Sequence, residues 1–294
     1  MIDAFLTSIP LQIVTTGALV GIAASLVGSF LVLRGNSMLT DAISHSVVFG
    51  IVVVWLLTGV QAGPVQIVGA ALTGLLTVWL TEALAGTGRV KQDAAIGLVF
   101  PVLFSVGVLL INLYARNVHI DQHSVLLGEI GFVWLKTITV GSKQVPQAIV
   151  WLGVMSMVNL LFITLFFKEL KLATFDRGLA RAMGFAPGVL YYALLGLTSA
   201  TAVTAFDAVG AVMFVAFAIV PPATAYLLTD NLARMTVYGC LVAIAASVIG
   251  YWLAVLLNVS IGGMMATVTG MMLVLAFIFS PRHGLAWRVL RSRN

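Results

Sequence analysis

Charge is what this sequence has least of. Only 9% of its 294 residues are Asp, Glu, Lys or Arg, against 61% that are hydrophobic; a soluble globular domain carries about 25% charged residues. That balance excludes a water-soluble enzyme or binding module. Cysteine occurs once, as Cys240 in an apolar run, so neither an intrachain disulfide nor a thiolate metal cluster can form. No Gly-x-x-x-x-Gly-Lys-Ser/Thr loop is present, so the chain is expected to hold no nucleotide. No His-Glu-x-x-His pair is present either, which removes the zinc-peptidase pattern. The start, Met1 to Leu6, lacks the positive stretch of a cleavable signal peptide, and the first apolar run is expected to stay as a span.

What remains is a set of apolar runs at roughly 11–33, 38–58, 64–85, 93–114, 145–167, 188–205, 207–229, 235–256 and 258–280. Each is about as long as a bilayer requires, and none shows the short alternation of a membrane barrel. The expected fold is an all-α polytopic membrane protein, one domain over residues 1–294. The two runs around Asp207 have little between them, so they form either two spans or one long broken helix. The total is then nine or eight. Pro101, Pro221 and Pro222 lie inside runs and are expected to disrupt the backbone ladder there.

The positive charges set an orientation. With nine spans and the first ending inside, one side holds Arg34; Arg89 and Lys91; Lys168, Lys171, Arg177 and Arg181; Arg234; and Arg282, Arg288, Arg291 and Arg293. Only Arg116, Lys136 and Lys143 fall on the other side, a split of twelve to three. The positive-inside rule then places the N-terminus outside and the C-terminus in the cytoplasm. The net charge of +5 is read as this topology signal, with no nucleic acid involved.

Against this background Asp41 and His45 stand out. Four residues apart on a helix, they share one face. At ~1.5 Å per residue they lie about 10 and 16 Å deeper than Arg34, which puts His45 near the membrane midplane. Ionisable groups at that depth are costly and mark function by default. A carboxylate with an imidazole suits a divalent transition metal. The bland alternative is a hydrogen-bonded pair that fixes helix packing, and it must still offset two desolvated polar groups. Ser44 and Ser46 are assigned to packing, Asp207 to a membrane edge, and Glu82 to snorkelling or pairing with Arg89. Met264, Met265, Met271 and Met272 are assigned to packing or lipid contact, and His283 to a solvated tail.

Two segments lie outside the spans. The outer one, about 115–144, is still apolar enough for a short or re-entrant helix. Its His119, Asp121 and His123 read as solvated loop residues first and as a funnel relaying a cation inward second. The inner one, about 168–187, carries a short helix: Thr174 or Asp176 can cap its start, Gly184 can end it, and Pro187 stops continuation. A short helix standing free at the cytoplasmic face needs something to dock against.

Three stretches together resemble the integral-membrane permease subunits of bacterial ABC importers for manganese, zinc or iron. They are Leu33-Arg34-Gly35 through Asp41-Ala-Ile-Ser-His45, then Asp176-Arg-Gly-Leu-Ala180-Arg-Ala-Met-Gly184, then Val209-Gly210 through Pro221-Pro222-Ala-Thr-Ala225. Asp121 to Glu129 resembles an outer segment of that family more loosely. The resemblance implies a type II ABC-importer-like permease in the bacterial inner membrane, and a transport subunit rather than an enzyme. Its implied partners are two cytoplasmic ATP-binding subunits, a second permease subunit, identical or homologous, and an extracytoplasmic metal-binding protein. It implies that Asp41 and His45 coordinate the passing ion. It also implies that the loop with Asp176, Arg177, Ala180 and Gly184 is the coupling helix seated on the ATPase. No permanent cofactor is implied. The cargo is a divalent ion, Mn²⁺ first and then Zn²⁺ or Fe²⁺, because the donors are oxygen and nitrogen without sulfur. Two ligands are too few, and a second Asp–His pair across a two-fold axis would complete four. Competing readings are an ABC permease for a metal chelate or vitamin, a proton-coupled secondary metal transporter with Asp41 as relay, and an intramembrane enzyme.

Overall fold

A computed structural model describes residues 8–60, 64–114, 129–140 and 143–280. The apolar runs are helices: α1 (Ile9–Leu33), α2 (Ser37–Thr58), α3 (Pro64–Gly86), α4 (Gln92–Tyr114), α5 (Gln147–Leu165), α8 (Pro187–Leu228), α9 (Leu232–Leu257) and α10 (Ile261–Phe279). These eight are the described helices long and apolar enough to cross a membrane. Two short helices, α6 (Phe167–Phe175) and α7 (Arg177–Ala182), lie between α5 and α8.

Helix α8 is the broken helix that the sequence left open, and it doubles back. Asn159 Nδ2 donates to the Ala23 carbonyl at 3.1 Å and to Thr201 Oγ1 at 2.9 Å. Ser25 Oγ donates to the Phe217 carbonyl at 3.2 Å. Positions 23 and 25 of α1 lie about 3 Å apart in height, whereas residues 201 and 217 would be about 24 Å apart on a straight helix. The chain therefore reverses between them, at Gly210 (φ 74°, ψ 169°). The rings of Phe206 and Phe214, 5.7 Å apart, close the bend. Its arms, 187–209 and 211–228, make the eight helices into nine passages of chain. The expected disruption at Pro221-Pro222 does not end the helix there. Proline forfeits a ladder bond but keeps a helical φ, whereas the Gly210 conformation is open essentially to glycine alone.

Packing divides the helices into two groups that share α8. Helices α1, α5, α9 and α10 surround it on one side. Helices α2, α3 and α4 pack on each other and reach the rest mainly through α8. Small residues let the backbones close in, as membrane helices require. A Cβ on Gly74 of α3 would come within 2.3 Å of Ser199 Oγ on α8. That same hydroxyl donates to the Ala70 carbonyl at 2.6 Å.

Residues 115–128, where most of the expected outer helix would fall, lie outside the described residues. The described remainder of the outer segment holds a 3₁₀ turn (Ile130–Phe132) and an antiparallel pair, β1 (Thr137–Val140) with β2 (Lys143–Pro146), in register Thr137 to Pro146. Thr137 to Val140 is β-branched throughout, a strand composition that a search for apolar runs passes over. Ile130 is buried where the turn meets α1 and α10.

Candidate metal site and its connection to the inner segment

The turn before α2 fixes where the site begins. Gly35 adopts φ +70°, its N–H bonds the Val32 carbonyl, and the Asn36 N–H bonds the Leu31 carbonyl at 2.9 Å. This is a glycine C-cap, and α2 starts only at Ser37. Asp41 and His45 therefore lie about 6 and 12 Å along α2 from its first residue. Counting helical rise from Arg34 overstates their depth, because residues 34–36 are a turn.

The structure brings Asp41 and His45 together, with Oδ1 and Nε2 3.5 Å apart. Between Leu39 and Gly50 only these two and Phe49 escape burial, every other position being packed against the chain. Ser44 bonds the Asp41 carbonyl, Ser46 bonds the Ile43 carbonyl, and Thr77 of α3 donates to Ser46 at 2.7 Å. Their role is packing, as expected. Asp41 and His45 keep 45% and 35% of their side-chain surface. The pair is thus neither walled into the bundle nor fully solvated. It forms an open stripe on a side of α2 that the described residues leave uncovered.

The His45 ring is held by α4. Phe100 stacks on it at 5.6 Å between centroids and 26° between planes, and Phe104 meets it edge-on at 6.2 Å. The sequence reading missed both. Aromatic residues in an apolar helix give no local sign of what they face. With metal–ligand bonds of about 2.1 Å, a 3.5 Å separation subtends an angle of roughly 110° at one ion, so both atoms can bind the same metal. Among the described residues no group of three or more His, Cys, Asp or Glu side chains could hold a metal ion. On this geometry Asp41 and His45 would supply two ligands, half of a four-coordinate site.

The inner segment is organised as the sequence suggested, with an additional helix, α6, ahead of it. Asp176 Oδ1 accepts from the Leu179 N–H at 2.8 Å and caps α7. Ala180 is fully buried, and Gly184 ends the turn at φ +83°. Phe175, Leu179 and Met183 stand exposed at 65%, 48% and 60%, an apolar row that crosses the extended Asp176 between α6 and α7.

Behind this row a polar cluster escaped the sequence reading. Arg34 Nε donates to Thr174 Oγ1 at 3.1 Å. The Arg34 and Arg177 guanidinium carbons lie 5.2 and 5.7 Å from the Tyr191 ring centroid. Burial, and then the like charge of Arg177, hold the Arg34 guanidinium below its usual pKa, while Tyr191 acts the other way. Glu82 does not pair with Arg89; it accepts a hydrogen bond from the Tyr192 hydroxyl, because α8 runs beside α3 and brings that phenol closer. Asp207 pairs with Lys136 at the opposite end of the bundle, with both side chains well exposed. His119, Asp121, His123 and His283 lie outside the described residues.

Comparison with known proteins shows the family of the chain. Residues 8–280 match the ABC 3 transport family. The manganese transport system membrane protein MntD of Bacillus subtilis is 46% identical over 283 residues, covering 96% of both chains. The zinc transport system membrane protein TroD of Treponema pallidum is also 46% identical over 283 residues, covering 96% of this chain and 77% of its own. The solved structure of PsaBC from Streptococcus pneumoniae, in complex with Fab, superposes with a TM-score of 0.80 at 30% identity. That match covers 100% of this chain and 98% of the other.

Proposed function

The chain belongs to the ABC 3 transport family, and from that premise we propose how it moves its cargo: as permease subunit of an ATP-driven importer of divalent transition-metal ions, it passes the ion over Asp41 and His45. It is a multi-pass membrane protein of a bacterial ABC transporter, a transport subunit whose ATP is hydrolysed by a separate ATPase. One observation carries the residue assignment. Among the described residues, the open stripe on the inner half of α2 holds an acid and an imidazole 3.5 Å apart. A second permease subunit closes that stripe and supplies the remaining ligands, as the half-site demands.

The cargo is Mn²⁺. A carboxylate and an imidazole without thiolate suit it, and one relative is named for manganese transport. Zn²⁺ is the second reading, supported by an equally similar relative named for zinc transport. The comparisons favour neither a chelate nor a proton-coupled carrier. The segment 168–187 is the ATPase contact, supported by the exposed row Phe175, Leu179 and Met183. An extracytoplasmic binding protein delivers the ion to the other face. Nine passages, with twelve of fifteen Lys and Arg on one side, support an outer N-terminus and a cytoplasmic C-terminus.

The test is uptake of Mn²⁺ and Zn²⁺ by proteoliposomes holding the complete importer. Asp41→Ala and His45→Ala abolish uptake while the subunits still co-purify. Normal uptake by both variants overturns the assignment.

A further inference from the structure

Tyr191 sits in the first turns of α8, 5% exposed, where four elements meet. Its hydroxyl accepts from Asn36 Nδ2 at 2.9 Å, and Asn36 Oδ1 accepts from Gln92 Nε2 at 3.3 Å. Asn36 is the residue that precedes α2, and Gln92 is the first residue of α4. Those two helices carry Asp41 with His45, and Phe100 with Phe104. The ring of Tyr191 takes Arg177, the first residue of α7, and Arg34, which is itself bonded to Thr174 of α6. One side chain thus touches the inner segment through its ring and the metal-site helices through its hydroxyl. Direct packing of α2 on α1 is slight, and α2 to α4 reach the rest of the chain mainly through α8. The Tyr191 contact therefore lies on the main route between the two regions.

We propose that Tyr191 is a positioning residue that couples movement of the inner segment to the metal site, acting through Asn36 on the starts of α2 and α4. The proposal rests on the reading of 168–187 as the ATPase contact. Hydrogen bonds and cation–π contacts hold the phenol at both ends. A shift of α7 then pulls on Asn36 rather than being absorbed by a loose side chain. The coupling lies in the bond between two buried groups, so it is testable from either end of that bond.

The experiment uses the complete importer, with its ATPase and binding protein, in proteoliposomes. It reads the metal ions taken up per ATP hydrolysed, with Mn²⁺ and Zn²⁺ as probes. Tyr191→Phe keeps the ring and removes the hydroxyl; Asn36→Ala removes the other partner. Each is expected to lower the ratio roughly five- to tenfold, the scale of one coupled contact, while hydrolysis continues and the ATPase co-purifies. The double variant falls no further than either single one. Asn36→Asp replaces the native N–H donor with a carboxylate oxygen that can accept from the phenol, so the bond re-forms in the reverse direction and most of the ratio is restored. A ratio unchanged in both single variants, or effects that multiply in the double variant, overturns the proposal. Leu179→Glu, on the exposed row, tests the underlying reading separately. Release of the ATPase upholds that reading whatever Tyr191 does, and retention with normal coupling removes it.

Discussion

Ser25 donates its hydroxyl to the carbonyl of Phe217 at 3.2 Å, and that carbonyl is the one Pro221 leaves without a ladder partner. An α-helical carbonyl bonds the N–H four residues on, and proline has none. Pro222 frees the Ala218 carbonyl in the same way. That oxygen points at Gly28, where an added Cβ would sit 1.9 Å from it. Helix α1 thus meets both prolines of α8, with a hydroxyl at one carbonyl and a glycine at the other. This is why the double proline interrupts bonding without ending the helix.

Two substitutions separate those contributions. Ser25→Ala leaves one buried acceptor unpaired and is expected to lower stability by on the order of 1 kcal/mol. Gly28→Ala forces the two backbones apart and is expected to lower it further. Thermal unfolding of the purified permease in detergent measures both. Equal and small shifts would mean that the α1–α8 contact does not hold the arm.

At Gly210, φ 74° with ψ 169° is a region that residues with a Cβ scarcely occupy, at a cost of about 1–3 kcal/mol. Gly210→Ala is expected to lower the unfolding midpoint and the folded yield. Gly270→Ala, where nothing lies within 4 Å of an added Cβ, should match the parent chain. Parity between the two variants would contradict the reversal at Gly210.

The Lys136–Asp207 pair joins β1's approach to the tip of the α8 hairpin, with side chains 64% and 59% exposed. Exposed pairs contribute about 0–1 kcal/mol and are screened by salt. Asp207→Asn is therefore expected to move the unfolding midpoint little at low salt and not at all in high salt. A large, salt-resistant loss would mean that the pair is desolvated in the assembled importer.

The parts legible in sequence were those encoded locally. Helix limits followed from apolar runs, the α7 start from the pair of caps Thr174 and Asp176, of which Asp176 is used, its end from Gly184, and the meeting of Asp41 with His45 from their spacing of four. What escaped depends on contacts distant in sequence. Asn36 and Tyr191 are 155 residues apart, and neither has a neighbour that announces the other. Glu82 was assigned to snorkelling or to Arg89, its neighbour in the chain, whereas α8 packing supplies Tyr192. The hairpin in α8 has only Asp207 as a polar mark at its tip, and one glycine replaces the loop that normally separates two spans. The strands escaped because four residues are too few to register as an apolar run.

The stacking of Phe100 on His45 leads to the last prediction. Removing a ring packed at 5.6 Å and 26° loses about 0.5–1.5 kcal/mol of orienting contact, yet the proposed ligands Asp41 and His45 remain in place. Phe100→Leu keeps apolar volume while freeing the imidazole to rotate. Ligand orientation governs how readily the ion is captured, so the half-saturating Mn²⁺ concentration for uptake should rise roughly two- to tenfold at that energy. The maximal rate should change less, since no donor atom is lost. His45→Ala differs in kind: uptake is abolished and raising the metal concentration does not restore it. Uptake by Phe100→Leu at increasing Mn²⁺ distinguishes the two cases. An unchanged half-saturating concentration would show that the ring does not orient His45, and a loss not relieved by added metal would place Phe100 in the pathway itself.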